Sequence, residues 1–276
     1  MLKTIVLASV LLFSVVCSVA EQKPLLILVS NDDGIEAPGI IALAEALREL
    51  GEVTVAAPRE NKSGTSHGVT SDRPIRVSES EKDGIRWCAV DALPATCVRL
   101  AIEVLLPAKP DIVVTGINSG ANLGTVTFYS ATVAGAREAA FLGIPAVSVN
   151  LGRGEGMDFG VAARFAKSLV RSLASKGLPL GSYVNVNIPA LPRDRIKGVR
   201  VTRKDRRAPL EFYEKRRGES GETVYFPSYK TLEPTEEGTD IWAVKNGFVS
   251  ITLFTIDQTY EEKLSGLKPL ERLKWD

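Results

Sequence analysis

Residues 24–35 read PLLILVSNDDGI, an apolar run that ends in two adjacent aspartates, Asp32 and Asp33. A short apolar run closed by a glycine-containing turn is typical of a buried strand that ends in a loop. Adjacent carboxylates repel each other, and a bound divalent cation would neutralise that repulsion. The alternative is that one aspartate caps the helix that follows. The stretch therefore predicts the first strand of a sheet, with two acidic side chains at its carboxyl end.

Outward from this stretch, short apolar runs alternate with amphipathic segments of helical period. Strands are predicted over residues 25–30, 53–57, 112–115, 146–149, 184–188 and 199–202, and helices over residues 38–50, 95–106, 132–142 and 159–176. Strands that alternate with helices imply right-handed crossovers and a parallel sheet covered on both faces. We therefore expect an α/β fold, a Rossmann-like three-layer sandwich with a mainly parallel sheet.

The C-terminal quarter has a different pattern. Residues 204–239 are rich in Arg, Glu, Gly and Pro with aromatic residues between them, and apolar alternation returns at residues 241–244 and 248–254. Asn246-Gly247 between those two runs predicts a hairpin. We expect one domain over residues 21–276, in which residues 204–276 form a β-hairpin extension and a tail with a short helix near residues 264–273. Extensions of this kind often embrace a second subunit, so an oligomerisation role is a hypothesis.

The first twenty residues have the form of a secretory leader. Lys3 precedes an apolar run at residues 5–16, and Ser18-Val19-Ala20 is a small-x-small cleavage pattern. The run is too short for a membrane span of about 20 residues. We expect a signal peptide cleaved after Ala20, an exported periplasmic protein and no membrane association after cleavage. The alternative is a retained N-terminal anchor.

Composition and net charge indicate which classes of function suit this protein. The 276 residues are 45% hydrophobic and 24% charged, as in ordinary globular proteins. The chain has 34 basic and 33 acidic residues, and removal of a leader containing Lys3 leaves 33 of each. Zero net charge gives no support for a nucleic-acid partner. Cys88 and Cys97 match no zinc motif, so we expect buried thiols, with a disulfide as the alternative.

Polar loops follow the first three predicted parallel strands. They read NDDG at residues 31–34, PRENKSGTSHG at residues 58–68 and GINSGANLG at residues 116–124, and the last leads to YSAT at residues 129–132. Ligands gather at the carboxyl ends of such strands. Oxygen-rich loops without cysteine suit Mg²⁺ or Mn²⁺. A glycine-rich loop before a helix start is typical of an anion cradle. A metal beside an anion cradle predicts hydrolysis of a phosphate ester.

Each of these features also has a structural explanation. Asp-Asp-Gly is common at a helix entry, and Gly and Asn are common in turns. His67, the single histidine, is a candidate proton donor or a solvated loop residue. The chain lacks the G-x-x-x-x-G-K-[ST] motif, and its G-x-x-x-G-x-x-x-G spacing differs from G-x-G-x-x-G. G-x-S-x-G occurs once, as GTSHG at residues 64–68, in the loop after the second predicted strand. P-loop ATPases and dinucleotide-binding proteins therefore lack their signatures, and the G-x-S-x-G of serine hydrolases lacks the strand-to-helix turn that a nucleophile elbow requires.

Longer motifs carry a family resemblance over nearly the whole chain after the leader. ILVSNDDG at residues 27–34, with APGI, NKSG, PDIVVTGINSGANLG, YSATV, NVNIP, VTR, GTD and GFVSIT in that order, resembles the SurE family of stationary-phase survival nucleotidases. The resemblance implies a divalent-metal-dependent phosphomonoesterase, a 5′-nucleotidase or acid phosphatase, that hydrolyses nucleoside monophosphates to nucleoside and phosphate. It also implies a homodimer or homotetramer assembled through the C-terminal extension.

The resemblance assigns roles to seven side chains of this sequence. One Mg²⁺ or Mn²⁺ ion per subunit would be held by Asp32, Asp33, Ser63 and Asn118, and the two aspartates are also the candidate catalytic residues. Phosphate binding falls on Asn122, Ser130 and Thr132. His67 stays a candidate proton donor on the ground of its loop position alone. The nucleophile is either an activated water, which we favour, or an aspartate.

One departure from the family pattern keeps other functions open. Ala131 stands where the Tyr-Ser-Gly-Thr motif has glycine, which would tighten the phosphate pocket or move a backbone N–H. The alternatives are a non-catalytic exported protein that binds nucleotides or phosphate, and a hydrolase of sugar phosphates or polyphosphate.

Overall fold

A computed structural model describes residues 23–207, 210–230 and 236–274. In this part of the chain the strands are β1 (Leu25–Ser30), β2 (Gly51–Pro58), β3 (Val77–Lys82), β4 (Ile85–Val90), β5 (Ile112–Ser119), β6 (Ala146–Leu151), β7 (Ser182–Ile188), β8 (Val199–Thr202), β9 (Leu210–Arg217), β10 (Thr223–Lys230) and β11 (Val249–Thr255). The α-helices are α1 (Pro38–Leu47), α2 (Pro94–Leu100), α3 (Ala131–Phe141), α4 (Phe159–Lys176), α5 (Asp240–Lys245) and α6 (Glu261–Leu264). A π-helical turn, Ala101–Leu105, continues α2, and short 3₁₀ turns occupy Gly124–Phe128, Arg193–Arg195 and Ser265–Arg272.

The described strands form one large mixed sheet and one separate hairpin. Nine strands pair in the order β3-β4-β2-β1-β5-β6-β7-β11-β8, and β9 pairs with β10 in a two-stranded sheet. Strands β3–β4 and β7–β11 are antiparallel, and the other pairs of the large sheet are parallel. The expectation of a mainly parallel α/β sheet with a C-terminal hairpin extension is confirmed.

Strand β1 is buried on both faces, which explains its unbroken apolar run. Ile27 and Val29 pack in the core that α1 and α4 cover, whereas Leu28 packs in the core that α2 and α3 cover. Successive side chains of a strand point to opposite faces, so one run serves two cores. The helices therefore form two layers around the sheet, as the sequence predicts.

Helix α1 shows how the sequence shapes one of these layers. Its buried residues Ile40, Leu43, Ala44 and Leu47 follow the helical spacing i, i+3, i+4 and i+7. Pro38 stands in the first turn, where its missing N–H costs no hydrogen bond. The helix ends at Leu47, three residues earlier than predicted.

Strand β1 lies between β2 and β5, at the point where the crossover direction reverses. The chain leaves β1 for α1 on one face of the sheet and leaves β5 for α3 on the other face. Loops that diverge in this way open a crevice at the carboxyl ends of the two strands, where α/β proteins bind ligands. The fold thus brings the loop that carries Asp32 and Asp33 beside the glycine-rich loop that follows β5.

The hairpin predicted around Lys245-Asn246-Gly247 is wrong. Asp240–Lys245 is helix α5, whose N-terminus is capped by Thr239: its hydroxyl accepts a hydrogen bond from Trp242 N at 3.3 Å. Asn246-Gly247 ends this helix, and β11 pairs with β7 in the large sheet. The cap at Thr239 outweighs the apolar alternation of the short segment that follows it. The hairpin extension is formed instead by β9 and β10.

Further differences are local. The antiparallel pair β3–β4 was not predicted, and the predicted helix over residues 95–106 changes to a π-helical turn after Leu100. Cys88 and Cys97 are buried free thiols, so the disulfide alternative is wrong. Within the described residues, no helix is long and apolar enough to cross a membrane. The predicted leader, residues 1–20, lies outside the described residues.

Candidate active site

Asp32 is the meeting point of three segments at the carboxyl end of β1. Its carboxylate Oδ1 accepts a hydrogen bond from the Thr132 hydroxyl in the first turn of α3. Its backbone oxygen accepts from Lys62 N at 2.7 Å, in the loop after β2. Only 3% of Asp32 is exposed. The predicted convergence of the loops after β1 and β2 with the start of α3 is therefore present.

Asp33 contacts the last residue of β5, at the point where the glycine-rich loop begins. Its Oδ2 accepts a hydrogen bond from Ser119 N at 3.1 Å. The neighbouring Asn118 donates from Nδ2 to Gly120 O at 2.8 Å, which leaves Oδ1 as the atom of that amide suited to bind a cation. Asp33 thus lies against the end of β5 that carries Asn118.

Burial and mutual repulsion disfavour the charged forms of the two aspartates, and a bound cation would stabilise those forms. Burial raises the pKa of Asp32 to about 6; the hydrogen bond from Thr132 opposes that rise, and the charge of Asp33 adds to it. In the described ranges, neither carboxylate forms an ion pair with Lys or Arg. A partly buried carboxylate pair without a cationic partner is a costly arrangement unless a metal ion joins it.

The surrounding donor atoms fit a hard divalent ion. Ser30 Oγ and Asn31 Oδ1, beside Asp32 in sequence, are buried and have no hydrogen-bond partner in the described part of the chain. That part holds no cluster of three or more His, Cys, Asp and Glu side chains. A cation here would therefore need hydroxyl and amide oxygens beside the two carboxylates, which is the ligand chemistry of Mg²⁺ and Mn²⁺.

Ser63 lies on an exposed part of the loop after β2. Its backbone N donates to Asn61 Oδ1 at 2.9 Å. The loop is fixed to the first loop on both sides of that turn, by Ile35 N to Pro58 O at 2.8 Å and by the bond from Lys62 to Asp32. Ser63 is thus one residue from an anchor on Asp32, although no contact of its side chain with either aspartate is seen in the described structure.

Ser130 and Thr132 lie at the N-terminus of α3, an 11-residue helix. Ser130 is the N-cap residue, and its Oγ accepts from Val133 N at 3.2 Å. The N-terminus of a helix carries partial positive charge and unpaired N–H groups, which favour anions. Ala131, which replaces the motif's glycine, is fully buried between them. The two hydroxyls are therefore placed beside Asp32 at an end of a helix that attracts anions.

Asn122 occupies a different environment from the other predicted phosphate ligands. Its backbone N donates to Asn187 Oδ1 at 2.8 Å, and its Nδ2 donates to Asn150 Oδ1 at 2.6 Å. It is buried at the carboxyl end of β5 among side chains of β6 and β7. Asn122 is therefore held by the neighbouring strands, and in the described part of the chain its side chain shows no hydrogen bond to Asp32, Asp33 or α3.

His67 belongs to a charged cluster on α3. Arg137 Nε donates to His67 Nδ1 at 2.8 Å, and His67 Nε2 lies 2.6 Å from Glu138 Oε2. Glu138 also accepts from Arg99 Nε at 2.5 Å. Because Nδ1 accepts from arginine, the ring proton is placed on Nε2, toward Glu138. Both ring nitrogens are thus engaged away from Asp32, and a role as proton donor stays a prediction.

Sequence reasoning assigned no role to four buried polar residues that hold the site together. They are Asn150, Asn185, Asn187 and Asp240, each with 0% exposure. Asparagines at positions 185 and 187 of a strand point to the same face, and polar residues on a buried face require partners. That signal was available in the NVN motif, but only the fold shows that the partner is Asn122.

Curated relatives match this chain over most of its length. The 5′-nucleotidase SurE of Aeromonas hydrophila is 44% identical over 246 residues, which cover 87% of this chain and 96% of the relative. The protein of the same name from Moorella thermoacetica is 41% identical over 248 residues, with 88% and 95% covered. These matches span almost the full length of both proteins.

The prediction of an exported, periplasmic protein is wrong. The relatives are named 5′-nucleotidase SurE, and none of these names describes an exported protein. The leader on which the prediction rested lies outside the described residues. The leader-like composition alone is not sufficient evidence for that location.

The fold and the family model agree with these relatives. The crystal structure of the SurE protein from Aquifex aeolicus superposes with a TM-score of 0.80 at 40% identity, covering 89% of this chain and 99% of that one. The model of the family "Survival protein SurE" matches residues 27–210. That range contains Asp32, Asp33, Ser63, Asn118 and the start of α3, so the chain belongs to the SurE family.

Proposed function

We propose that this protein is a divalent-metal-dependent phosphomonoesterase that hydrolyses nucleoside monophosphates to nucleoside and phosphate. The supporting observation is the placement of Asp32 and Asp33 between the glycine-rich loop and the N-terminus of α3. An acidic pair suited to a cation then faces a helix end suited to an anion. The relatives named 5′-nucleotidase SurE support the same activity.

The side chains of Asp32, Asp33, Ser63 and Asn118 would hold one Mg²⁺ or Mn²⁺ ion. Such an ion supplies Lewis-acid stabilisation of a phosphoryl oxygen and a lowered pKa for a water. The contact from Thr132 holds the Asp32 carboxylate in place, and Asn118 keeps its Oδ1 available. Hydrogen bonds within the chain therefore orient Asp32 and Asn118 in the absence of an ion.

The phosphate group would be held by Asn122, Ser130 and Thr132. Preorganised donors at a helix N-terminus stabilise charge that develops on phosphoryl oxygens. Water is the better nucleophile, because Asp32 is buried and its Oδ1 is already bonded to Thr132. His67 is the less favoured proton donor, since Arg137 and Glu138 occupy its two nitrogens.

The other activities considered for this sequence have no support from the comparisons. None of the curated relatives' names describes a non-catalytic binding protein or a hydrolase of sugar phosphates or polyphosphate. The Ala131 position is compatible with a working site, because its methyl group is buried at the start of α3 and the neighbouring Ser130 cap is intact.

A homodimer or homotetramer is proposed from the C-terminal surface. Four leucines at intervals of three residues in the tail are exposed, which is costly in water unless another subunit covers them: Leu264, Leu267, Leu270 and Leu273. The hairpin β9–β10 likewise exposes Tyr213, Tyr225 and Phe226. Light scattering of the full chain should give the mass of two or four subunits; a single-subunit mass at micromolar concentration would exclude this assembly.

The activity is tested with a substrate panel. The full chain is stripped with EDTA, supplied with Mg²⁺ or Mn²⁺, and assayed for phosphate release from purine 5′- and 3′-monophosphates and short polyphosphates. We expect metal-dependent release with nucleoside monophosphates as preferred substrates. Absence of metal-dependent release from every monophosphate would overturn the proposed function.

A further inference from the structure

We propose that Asn150, Asn185 and Asn187 are positioning residues that fix the orientation of the Asn122 amide toward the phosphate of the substrate. With Asn122 they form a set that we call the asparagine relay. The inference rests on the proposed function, in which Asn122 binds phosphate. It adds three residues to the site, none of which touches the substrate.

The asparagine relay lies in the interior of the sheet, where burial of a polar side chain costs the most free energy. Asn150 on β6 pairs in register with Asn187 on β7, and Ser148 pairs with Asn185. These four paired residues, Ser148 included, are fully buried. A buried amide without hydrogen bonds destabilises a protein by about 1–3 kcal/mol, because it loses its hydrogen bonds to water. An apolar residue at the same position carries no such desolvation penalty. Amides at these positions therefore need a reason beyond filling the core.

The relay first fixes the backbone of the glycine-rich loop. The Asn187 side chain forms two hydrogen bonds with the backbone of Asn122. Its Oδ1 accepts from Asn122 N at 2.8 Å, and its Nδ2 donates to Asn122 O at 3.1 Å. Asn185 Nδ2 donates to the same carbonyl oxygen at 2.9 Å. Both polar groups of the Asn122 backbone are therefore bonded to side chains of β7.

The relay then fixes which end of each side-chain amide faces which partner. Asn150 Nδ2 donates to the backbone oxygen of Val186 at 2.7 Å and to Asn185 Oδ1 at 2.8 Å. A backbone carbonyl only accepts, so the Asn150 amide cannot be turned around without loss of that bond. Its Oδ1 must then face Asn122. The main chain of β7 thereby sets the direction of the Asn150 amide and, through it, that of the Asn122 amide.

Asn122 receives its orientation from this arrangement. Its Nδ2 donates one hydrogen to Asn150 Oδ1 at 2.6 Å, and an amide nitrogen has two. The second N–H therefore remains available for a phosphate oxygen, which at neutral pH is an acceptor. A rotated amide would present its own oxygen and repel the phosphate. Fixing the amide beforehand removes the ordering cost from substrate binding.

The test replaces Asn150 with leucine, which keeps the size of the side chain and removes its hydrogen bonds. Wild type, N150L and the milder N150S are compared by calorimetric titration with inorganic phosphate in the presence of Mn²⁺ and by KM and kcat for a nucleoside 5′-monophosphate. A matched control is Thr202→Val, which breaks a buried hydroxyl network with Ser250 and Thr252, each 2.8 Å away, on β8 and β11. Urea unfolding measures the stability of each variant.

We expect phosphate affinity to fall about tenfold or more and KM to rise in parallel in the Asn150 variants, as for loss of an oriented hydrogen bond to a charged group. T202V should lose stability and keep wild-type phosphate affinity. Wild-type phosphate affinity and KM in N150S, and in N150L where it folds, would overturn the relay. Phosphate binding without turnover in wild type would overturn the proposed function alone, and absence of both would overturn the two together.

Discussion

The Thr132 hydroxyl donates a hydrogen bond to Oδ1 of Asp32, although the two residues are 100 positions apart in the chain. The contact joins the N-terminus of α3 to the carboxyl end of β1 across the crevice. It therefore links a proposed phosphate-binding residue directly to a proposed metal ligand.

Replacement of Thr132 by valine keeps the shape of the side chain and removes this donor. We expect kcat/KM for a nucleoside 5′-monophosphate to fall about 10-fold or more, because the Asp32 carboxylate loses the hydrogen bond that holds it in place. Thr132→Ser keeps the hydroxyl and should retain most activity. Equal activity in T132V and wild type would show that the hydroxyl has no part in the reaction.

The sequence was sufficient to predict that the segments carrying Asp32, Asp33 and Asn118 lie together, because these residues come at the ends of strands. Asp32 and Asp33 end the apolar run of β1, and the glycine-rich loop follows the apolar run of β5. The strand-end rule then places them together without knowledge of contacts. The partners of Asn122 were not predictable in this way, because the alignment of β6 with β7 is set by long-range packing.

In the C-terminal region the sequence pattern was not sufficient to predict the secondary structure. Residues 241–254 have the alternation of two strands, yet the Thr239 cap makes the first half a helix. Apolar alternation over four residues is compatible with either structure, so a single capping hydrogen bond decides between them. Hairpin β9–β10 lies in a segment whose mixed composition gave no clear strand period.

Gly39 is a position where only glycine fits. A Cβ atom at Gly39 would lie 2.0 Å from the backbone oxygen of Ile117 in β5. Gly39→Ala must therefore push α1 away from the strand that carries the site, and we expect a loss of about 2–4 kcal/mol in the free energy of unfolding.

The matched control is Gly266→Ala, where an added Cβ meets nothing within 4 Å. Urea unfolding should show little change for this variant. Equal midpoints for G39A and G266A would contradict the close packing of α1 on β5.

Asp240 anchors the far end of the glycine-rich loop. Its buried carboxylate accepts from Gly124 N and Asp205 N, each at 2.8 Å, and from Ile241 N at 2.9 Å. Asp240→Ala leaves three N–H groups without an acceptor, so we expect a loss of about 3–5 kcal/mol in unfolding free energy. Asp240→Asn retains one acceptor oxygen and should lose less. An unchanged urea midpoint in D240A would contradict this anchor.

The cluster around Glu138 predicts a pH-dependent stability. Burial acts to raise the pKa of Glu138, but the hydrogen bond from His67 and the charge of Arg99 outweigh it and hold that pKa below its ordinary value. A carboxyl whose pKa is lower in the folded than in the unfolded chain stabilises the fold at every pH above its pKa in the unfolded chain. This stabilisation is lost as the pH falls through the pKa of the carboxyl in the folded chain. The groups that face it are His67 from the loop after β2 and Arg99 from α2.

Glu138→Gln should therefore be less stable than wild type at pH 7, and the difference should shrink as the pH falls below about 4.5. Glu103→Gln, which removes the exposed partner of Arg99 at 3.3 Å, should change stability little at any pH. Thermal unfolding from pH 7 to pH 3 measures both. A constant difference between wild type and E138Q over this range would contradict the assignment.

The paired aspartates are tested most directly by Asp33→Asn, because the amide can still accept the hydrogen bond from Ser119 N while the charge is removed. Asp111→Asn is the matched control, since Asp111 makes the same kind of contact, to Leu26 N at 2.8 Å, at the opposite end of β1 and β5. With saturating Mn²⁺, D33N should lose about 10³-fold or more in kcat/KM for a nucleoside 5′-monophosphate, the loss expected when several kcal/mol of metal-assisted stabilisation disappear, and should keep its fold. D111N should keep full activity. Near-normal, metal-stimulated phosphate release by D33N would contradict a metal-dependent phosphomonoesterase centred on Asp32 and Asp33.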